Sequence, residues 1–413
     1  MDRIRIVTWI VALAAVAAPW VAQAQASGDP CDKNHYILRQ KCSPADFPDT
    51  VMTGIATKTA IGAPRSVVVD AAGNVFFEND QSAIYRVDPG GALTLVAPPR
   101  ATPTVDVDWS GDWIANELAA LDGAGNVYFV DAAENLVQRI GIDGTIVTVA
   151  GRSGGGSGNS IFSDWWGWGG PTLPANDIAV VVGARAMDLY LVPSAVAVDD
   201  AGNVYIASER VDLDGLVKVA PDGVVTSFTP FDCGDSISGV ACGTSGHIAV
   251  DSAGNVFVPD NHCHVDVIAA SGATDIVAGS AYGYMYSADS PRLFAEGAPT
   301  CLYSGDGGLA KAAGIGPASA VALGPDGSLY IADRQFNCIR KVGTDGIIRM
   351  LAGSCPGPWQ FHGVLLDNPS GVAVDAIGNV YIADTGNERV LKLTPDGVMT
   401  TIAGTMPAVP QQP

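Results

Sequence analysis

The chain has 413 residues, 48% of them hydrophobic and only 16% charged, with 49 Gly and 26 Pro. That balance excludes a coiled coil and a mainly disordered chain, and it is enough for one large core or two ordinary ones. Acidic residues outnumber basic ones 43 to 22 for a net charge of −21, which repels phosphate backbones and anionic lipid and argues against nucleic acid as a partner.

Residues 1–26 read as a secretory signal. Arg3 and Arg5 precede an apolar run, Ile6 to Ala18, that is short and Ala-rich for a membrane span, and small-x-small sites follow at Ala22-Gln23-Ala24 and Ala24-Gln25-Ala26. No second apolar span follows, so the expected product is secreted or periplasmic and not an integral membrane protein. A Cys-containing segment, residues 27–50, comes next. The eight cysteines all lie beyond the signal. An even count in an oxidising compartment favours disulfides, and without any CxxC a zinc site is not expected.

One string then recurs: VVVDAAGNVFF from Val67, AALDGAGNVYF from Ala119, VAVDDAGNVYI from Val196, IAVDSAGNVFV from Ile248, VALGPDGSLYI from Val321 and VAVDAIGNVYI from Val372. Each copy continues into a polar turn, a third strand, a DG or GG turn and a fourth strand. β-branched and aromatic residues in alternation give strands, and the Gly-Asn and Asp-Gly elements give tight turns. Four short strands per copy, six times over, predict an all-β chain: a six-bladed β-propeller with four-stranded blades across residues 51–405 and a short tail, 406–413. Val51–Ala56 also resembles the end of a blade. It is expected either to close the ring against the last blade or to add an edge strand there.

The segments SGDGGLAKAAGIGPASAVALGPDGSLYIADRQFNCIRKV and GVAVDAIGNVYIADTGNERVLKL resemble bacterial NHL-repeat proteins. The resemblance covers roughly residues 60–404 and implies the propeller fold; its functions range from binding domains to lyases.

If the first strand of each blade runs from a top face to a bottom face, the D-x-x-G-N and DG turns lie at the bottom and are short. Every long insert then lies on top: Pro98–Asn116, Arg152–Pro193, Pro230–Gly246, Ser280–Pro317 and Ser354–Pro369. These hold Trp109, Trp113, Trp165, Trp166, Trp168 and Trp359, with Tyr282, Tyr284, Tyr286 and Tyr303. Aromatics on loops above a rigid scaffold suggest sugar stacking or a protein contact; the competing reading is a small aromatic core within the loops. Trp165, Trp166, Trp168, Trp109, Trp113 and Tyr284 are the candidate ligand-binding residues of a monomeric scaffold for an extracellular glycan or protein.

The residues opening the first strands should ring the channel mouth. Arg65, Glu117 and His247 stand out there as a cation, a carboxylate and an imidazole able to bind a polar ligand or move a proton. The alternative function is therefore a lyase or hydrolase, similar to virginiamycin B lyase or to NHL-type amidating lyases, although only His247 matches the several histidines with which the latter hold zinc. The first insert reads DVDWSGDWIANE from Asp106. Asp106, Asp108, Ser110, Asp112 and Glu117 take positions 1, 3, 5, 7 and 12 of a calcium loop, with Gly111 at the bend; a solvated acidic loop is the simpler alternative. The expected disulfides are Cys31–Cys42 and Cys233–Cys242 as local pairs, Cys338–Cys355 across one hairpin, and Cys263–Cys301 as the remainder.

Overall fold

The computed structural model describes residues 54–99, 118–152, 182–210, 213–231, 246–260, 263–280, 301, 303–355 and 365–405. They form six antiparallel blades. Blade 1 consists of Pro64–Val69, Val75–Asn79, Ile84–Val87 and Ala92–Ala97. Blade 2 runs Leu118–Leu121, Val127–Asp131, Leu136–Ile140, Ile146–Ala150. Blade 3 runs Pro193–Val198, Val204–Arg210, Leu213–Val219, Val225–Pro230. Blade 4 runs Ala249–Val250, Val256–Pro259, Val265–Ile268, Thr274–Ala278. Blade 5 runs Ala318–Leu323, Leu329–Asp333, Cys338–Val342, Ile348–Gly353. Blade 6 runs Pro369–Val374, Val380–Asp384, Arg389–Leu393, Met399–Ala403. No α-helix occurs among the described residues, and none there is long and apolar enough to cross a membrane.

The repeated aspartate makes the first turn. Asp375 accepts the Asn379 backbone N–H at 2.8 Å and its side-chain amide at 2.6 Å, while Gly378 takes the positive φ that the turn requires. The next strand sends Tyr381 back to the same carboxylate at 3.1 Å, and Lys392 lies over its ring. Blade 3 repeats this with Asp199, Asn203, Tyr205 and Lys218. Side chains at the bottom turns are thus spent on the turns themselves. Small residues on the inner strands let the blades approach: Ala373 and Ala383 of blade 6 pack with Val67 and Phe77 of blade 1, and Ala320 and Ala332 of blade 5 pack with Val372 and Ile382 of blade 6.

The segment expected to act on the last blade instead forms a short strand, Gly54–Ile55, on the outer edge of blade 1, with Gly54 opposite Leu93 and Ile55 opposite Ala92. Its next residue joins the two ends of the ring. Ala56 N–H bonds the Gly91 carbonyl of blade 1, and Gly404 N–H of blade 6 bonds the Ala56 carbonyl. Ala186 links Gly151 of blade 2 to Gly223 of blade 3 in the same way, and Ala310 links Gly279 of blade 4 to Gly346 of blade 5. The connector pairs with the blade it is about to enter because it must reach that blade's first strand. Closure is therefore one more use of a device already used between blades 2 and 3 and between blades 4 and 5.

Candidate functional site

The residues expected to ring the channel mouth occupy a shared backbone irregularity. The first-to-second strand register slips by one residue at Arg65, Ser194, Ser319 and Ser370, a β-bulge that re-aims the side chain. Ser319 Oγ donates to Pro369 O of the next blade at 2.8 Å. Ser370 Oγ donates to Arg65 O at 2.6 Å and also contacts Thr385 Oγ1, which itself donates to Pro64 O at 2.7 Å. These serines thus fasten neighbouring blades.

His247 takes part in this fastening through its backbone. Its N–H bonds Ser319 O at 3.2 Å, and Val321 N–H bonds its carbonyl at 3.1 Å, a parallel bridge between blades 4 and 5. A Cβ on the preceding Gly246 would lie 1.6 Å from Ser319 O, so only glycine permits this approach. The imidazole is 5% exposed, and burial lowers its pKa to about 4, leaving it neutral at pH 7. Arg65 opens blade 1 and His247 leads into blade 4, three blades apart in a ring of six, so the two are not neighbours.

Glu117, the calcium-loop residues Asp106, Asp108, Ser110 and Asp112, and the aromatic residues Trp109, Trp113, Trp165, Trp166, Trp168 and Tyr284 lie outside the described residues, as do the pairs Cys31–Cys42 and Cys233–Cys242. The other two disulfides form as expected. Cys263 joins Cys301 with Cα atoms 6.0 Å apart, and Cys338 joins Cys355 at 5.4 Å. The hairpin register places Cys338 opposite Gly353, so two more residues bring Cys355 back over it. No group of three or more His, Cys, Asp or Glu that could hold a metal occurs among the described residues.

A cluster of buried charge was missed in the sequence. The second strand ends in an acid in blades 2, 5 and 6, and in blade 4 an acid follows it directly: Asp131, Asp333, Asp384 and Asp260. In blade 6 Asp384 accepts Arg389 Nε at 2.7 Å and the Asp367 N–H at 2.8 Å. In blade 5 Asp333 accepts Gly316 N–H, and the fully buried Arg340 donates to Asp306, Ser304 O and Gly314 O while lying against the Tyr303 ring. Burial holds Asp333 at about 6 although those N–H groups and Arg340 pull it down. Blade 4 carries no arginine at the matching strand positions. Its Asp260 accepts the His264 N–H at 2.7 Å and lies 3.4 Å from His264 Nδ1. Beside them Asp266, at the register position of Arg340, is 4% exposed and has one carboxylate oxygen without a hydrogen bond. The signal was present: aligning the hairpin HCHVDVI with NCIRKV sets His264 on Cys338 and Asp266 on Arg340.

The fold and its fastening define a six-bladed β-propeller whose repeat is stitched at every turn. The NHL repeat family matches residues 366–393. Teneurin-3 of Danio rerio is 28% identical over 364 residues, which is 82% of this chain and 12% of that protein. The chain thus spans about an eighth of that relative's length. An auxiliary nutrient binding protein from Bacteroides thetaiotaomicron is 12% identical, with a TM-score of 0.51 over 83% of this chain and 70% of that one. Virginiamycin B lyase from Staphylococcus aureus is 15% identical, with a TM-score of 0.43 over 85% and 87%; the likeness to the nutrient binding protein concerns the fold alone. The chain is a six-bladed β-propeller that carries a match to the NHL repeat in its last blade.

Proposed function

We propose that this protein is an exported, secreted or periplasmic binding scaffold that takes a glycan or protein ligand on the loop-rich face of its propeller. One observation carries the reading. At the first turn of blade 3 the repeated Asp, Asn and Tyr side chains are consumed by the turn, whereas by strand order the long connectors start where the outer strands end, and two of them are bounded by disulfides. By sequence the tryptophans beyond the signal segment are concentrated in the inserts, where Trp165, Trp166 and Trp168 would supply flat faces for sugar rings or for a protein anchor. Likeness to a nutrient-binding protein is in keeping with this. Calcium held by Asp106, Asp108, Ser110, Asp112 and Glu117 would brace the first insert.

The test is a glycan panel read by intrinsic tryptophan fluorescence, with the triple change Trp165→Ala, Trp166→Ala and Trp168→Ala. The expected result is quenchable tryptophan and a binding signal lost in the variant at unchanged Tm. A large fall in Tm would assign the three residues to a packed loop core instead. The alternative, a lyase or hydrolase at the channel mouth, rests on His247 and Glu117. It requires His247→Ala and Glu117→Gln each to abolish turnover, and the burial of His247 does not favour it.

A further inference from the structure

Three of the seams between blades share one fastening. Gly151, Gly279 and Gly404, which follow the outer strands of blades 2, 4 and 6, donate to the carbonyls of Ala186, Ala310 and Ala56 in the connector of the next blade. Two positions can therefore be compared across these seams: the residue after each alanine and the residue four before each glycine. They are Met187 and Val147 between blades 2 and 3, Thr57 and Thr400 between blades 6 and 1, and Lys311 and Asp275 between blades 4 and 5, all exposed. The fastening forms with apolar, hydroxyl or charged residues there, so it does not require the charges of the blade 4–5 seam. Lys311 Nζ lies 2.7 Å from Asp275 Oδ2, with the two side chains 59% and 67% exposed. An ion pair so exposed adds little to stability.

The same seam holds a cavity of about 350 Å³. Phe257, Ile276 and Val277 of blade 4, Leu309 of the connector, and Leu329 and Val342 of blade 5 form apolar walls, and Asp275 and Lys311 also line it. The volume is small for a ligand site and suits a molecule of amino-acid size rather than a polymer. Leu309 is 63% exposed, so an apolar side chain entering the cavity would cover this wall and leave water itself. The hydrogen bond from Lys311 holds the Asp275 carboxyl below its usual range, and both charges are present at neutral pH. An ammonium has three donors and a carboxylate several acceptor positions. The pair can therefore take a further ion of each sign without separating.

We infer that this cavity binds a free apolar α-amino acid, with its side chain between the two blades, its carboxylate on Lys311 and its ammonium on Asp275. Charge complementarity selects the class. A ligand with a lone anion is drawn to Lys311 and repelled by Asp275, and a lone cation meets the reverse. A zwitterion, whose two charges are also close together, meets both with opposite sign. The terminal residue of a peptide carries only one of the two charges. The site shares no residue with the tryptophans of the proposed glycan or protein face, so it stands or fails independently of that reading.

Methyl NMR of the full-length protein at neutral pH, with L-leucine as the probe, tests this. Titration is expected to shift the methyl signals of Ile276, Leu309, Leu329 and Val342 saturably and to leave those of Ile206 in blade 3 unchanged. N-acetyl-L-leucine and L-leucinamide each keep one of the two charges, and both should bind about five-fold more weakly, the upper end for an exposed ion pair. Lys311→Gln is expected to weaken L-leucine and N-acetyl-L-leucine by that factor and to spare L-leucinamide. Asp275→Asn should weaken L-leucine and L-leucinamide and spare N-acetyl-L-leucine. Both changes fall at exposed positions where the other seams carry Met, Val or Thr, so the fold should survive, which unchanged methyl signals elsewhere would check. The absence of a saturable shift with L-leucine, equal or tighter binding of either singly charged probe, or variants that alter all three probes alike would overturn the inference.

Discussion

Blade 5 places Cys338 and Arg340 where blade 4 places His264 and Asp266. Around Arg340 the chain has built a full acceptor shell, with Ser304 O, Gly314 O and Asp306 within 3.0 Å and the Tyr303 ring at 4.7 Å. Around Asp266 the described residues supply no cation but His264. Burial raises both Asp333 and Asp266, and in blade 5 the neighbouring Arg340 pulls Asp333 back down. Each blade joins its hairpin turn by a disulfide to the chain beyond its outer strand, so the covalent framework is alike and the electrostatic one is not. A repeated backbone can therefore carry different charged residues at one register position, because the repeat keeps its register and leaves the paired positions free to vary.

The sharpest way to break the comparison is Arg340→Met. It strands Asp306 and Asp333 in the interior, and the expected loss is about 3–5 kcal/mol, read from urea unfolding at pH 7. A loss near zero would show that the cluster does not distinguish blade 5.

The two disulfides come next. They close loops of 38 and 17 residues in sequence separation, and the chain-entropy relation assigns about 4 kcal/mol to the longer and about 3 kcal/mol to the shorter. Replacing Cys263 and Cys301 with Ser should therefore cost slightly more than replacing Cys338 and Cys355 with Ser, provided the native geometry is unchanged. The reverse order would indicate that blade 4 gains less from its covalent tie. Gly246→Ala acts on the seam between the same two blades. Its added Cβ forces Ser319 away, at about 1–3 kcal/mol, and should lower Tm while leaving both disulfides formed on peptide mapping.

The smallest expected effect on stability belongs to the inserts. A calcium ion in the Asp106–Glu117 loop would raise Tm by a few degrees at millimolar calcium, by the usual linkage of binding to folding, and Asp106→Ala with Asp108→Ala should erase that rise. Melting and calorimetry indifferent to calcium would remove the metal and leave a solvated acidic loop.

Blade number, strand order, short turns within the blades and the pairing of Cys338 with Cys355 were legible in the sequence. They depend on alternation, on turn residues and on residue counts within one hairpin, all local quantities. The resemblance to NHL repeats pointed to the same fold. Tertiary structure decided the rest, because the rest depends on contacts between blades. Gly54–Ile55 joins the first blade, since a connector pairs with the strand beside it in space. Ser319 and Ser370 hold blade to blade through carbonyls 50 and 305 residues distant. His247 gives its backbone to blade 5 and is buried there. His264, which by sequence is a residue in a turn, becomes part of a buried acidic cluster only when Asp260, Asp266 and Gly279 are folded against it.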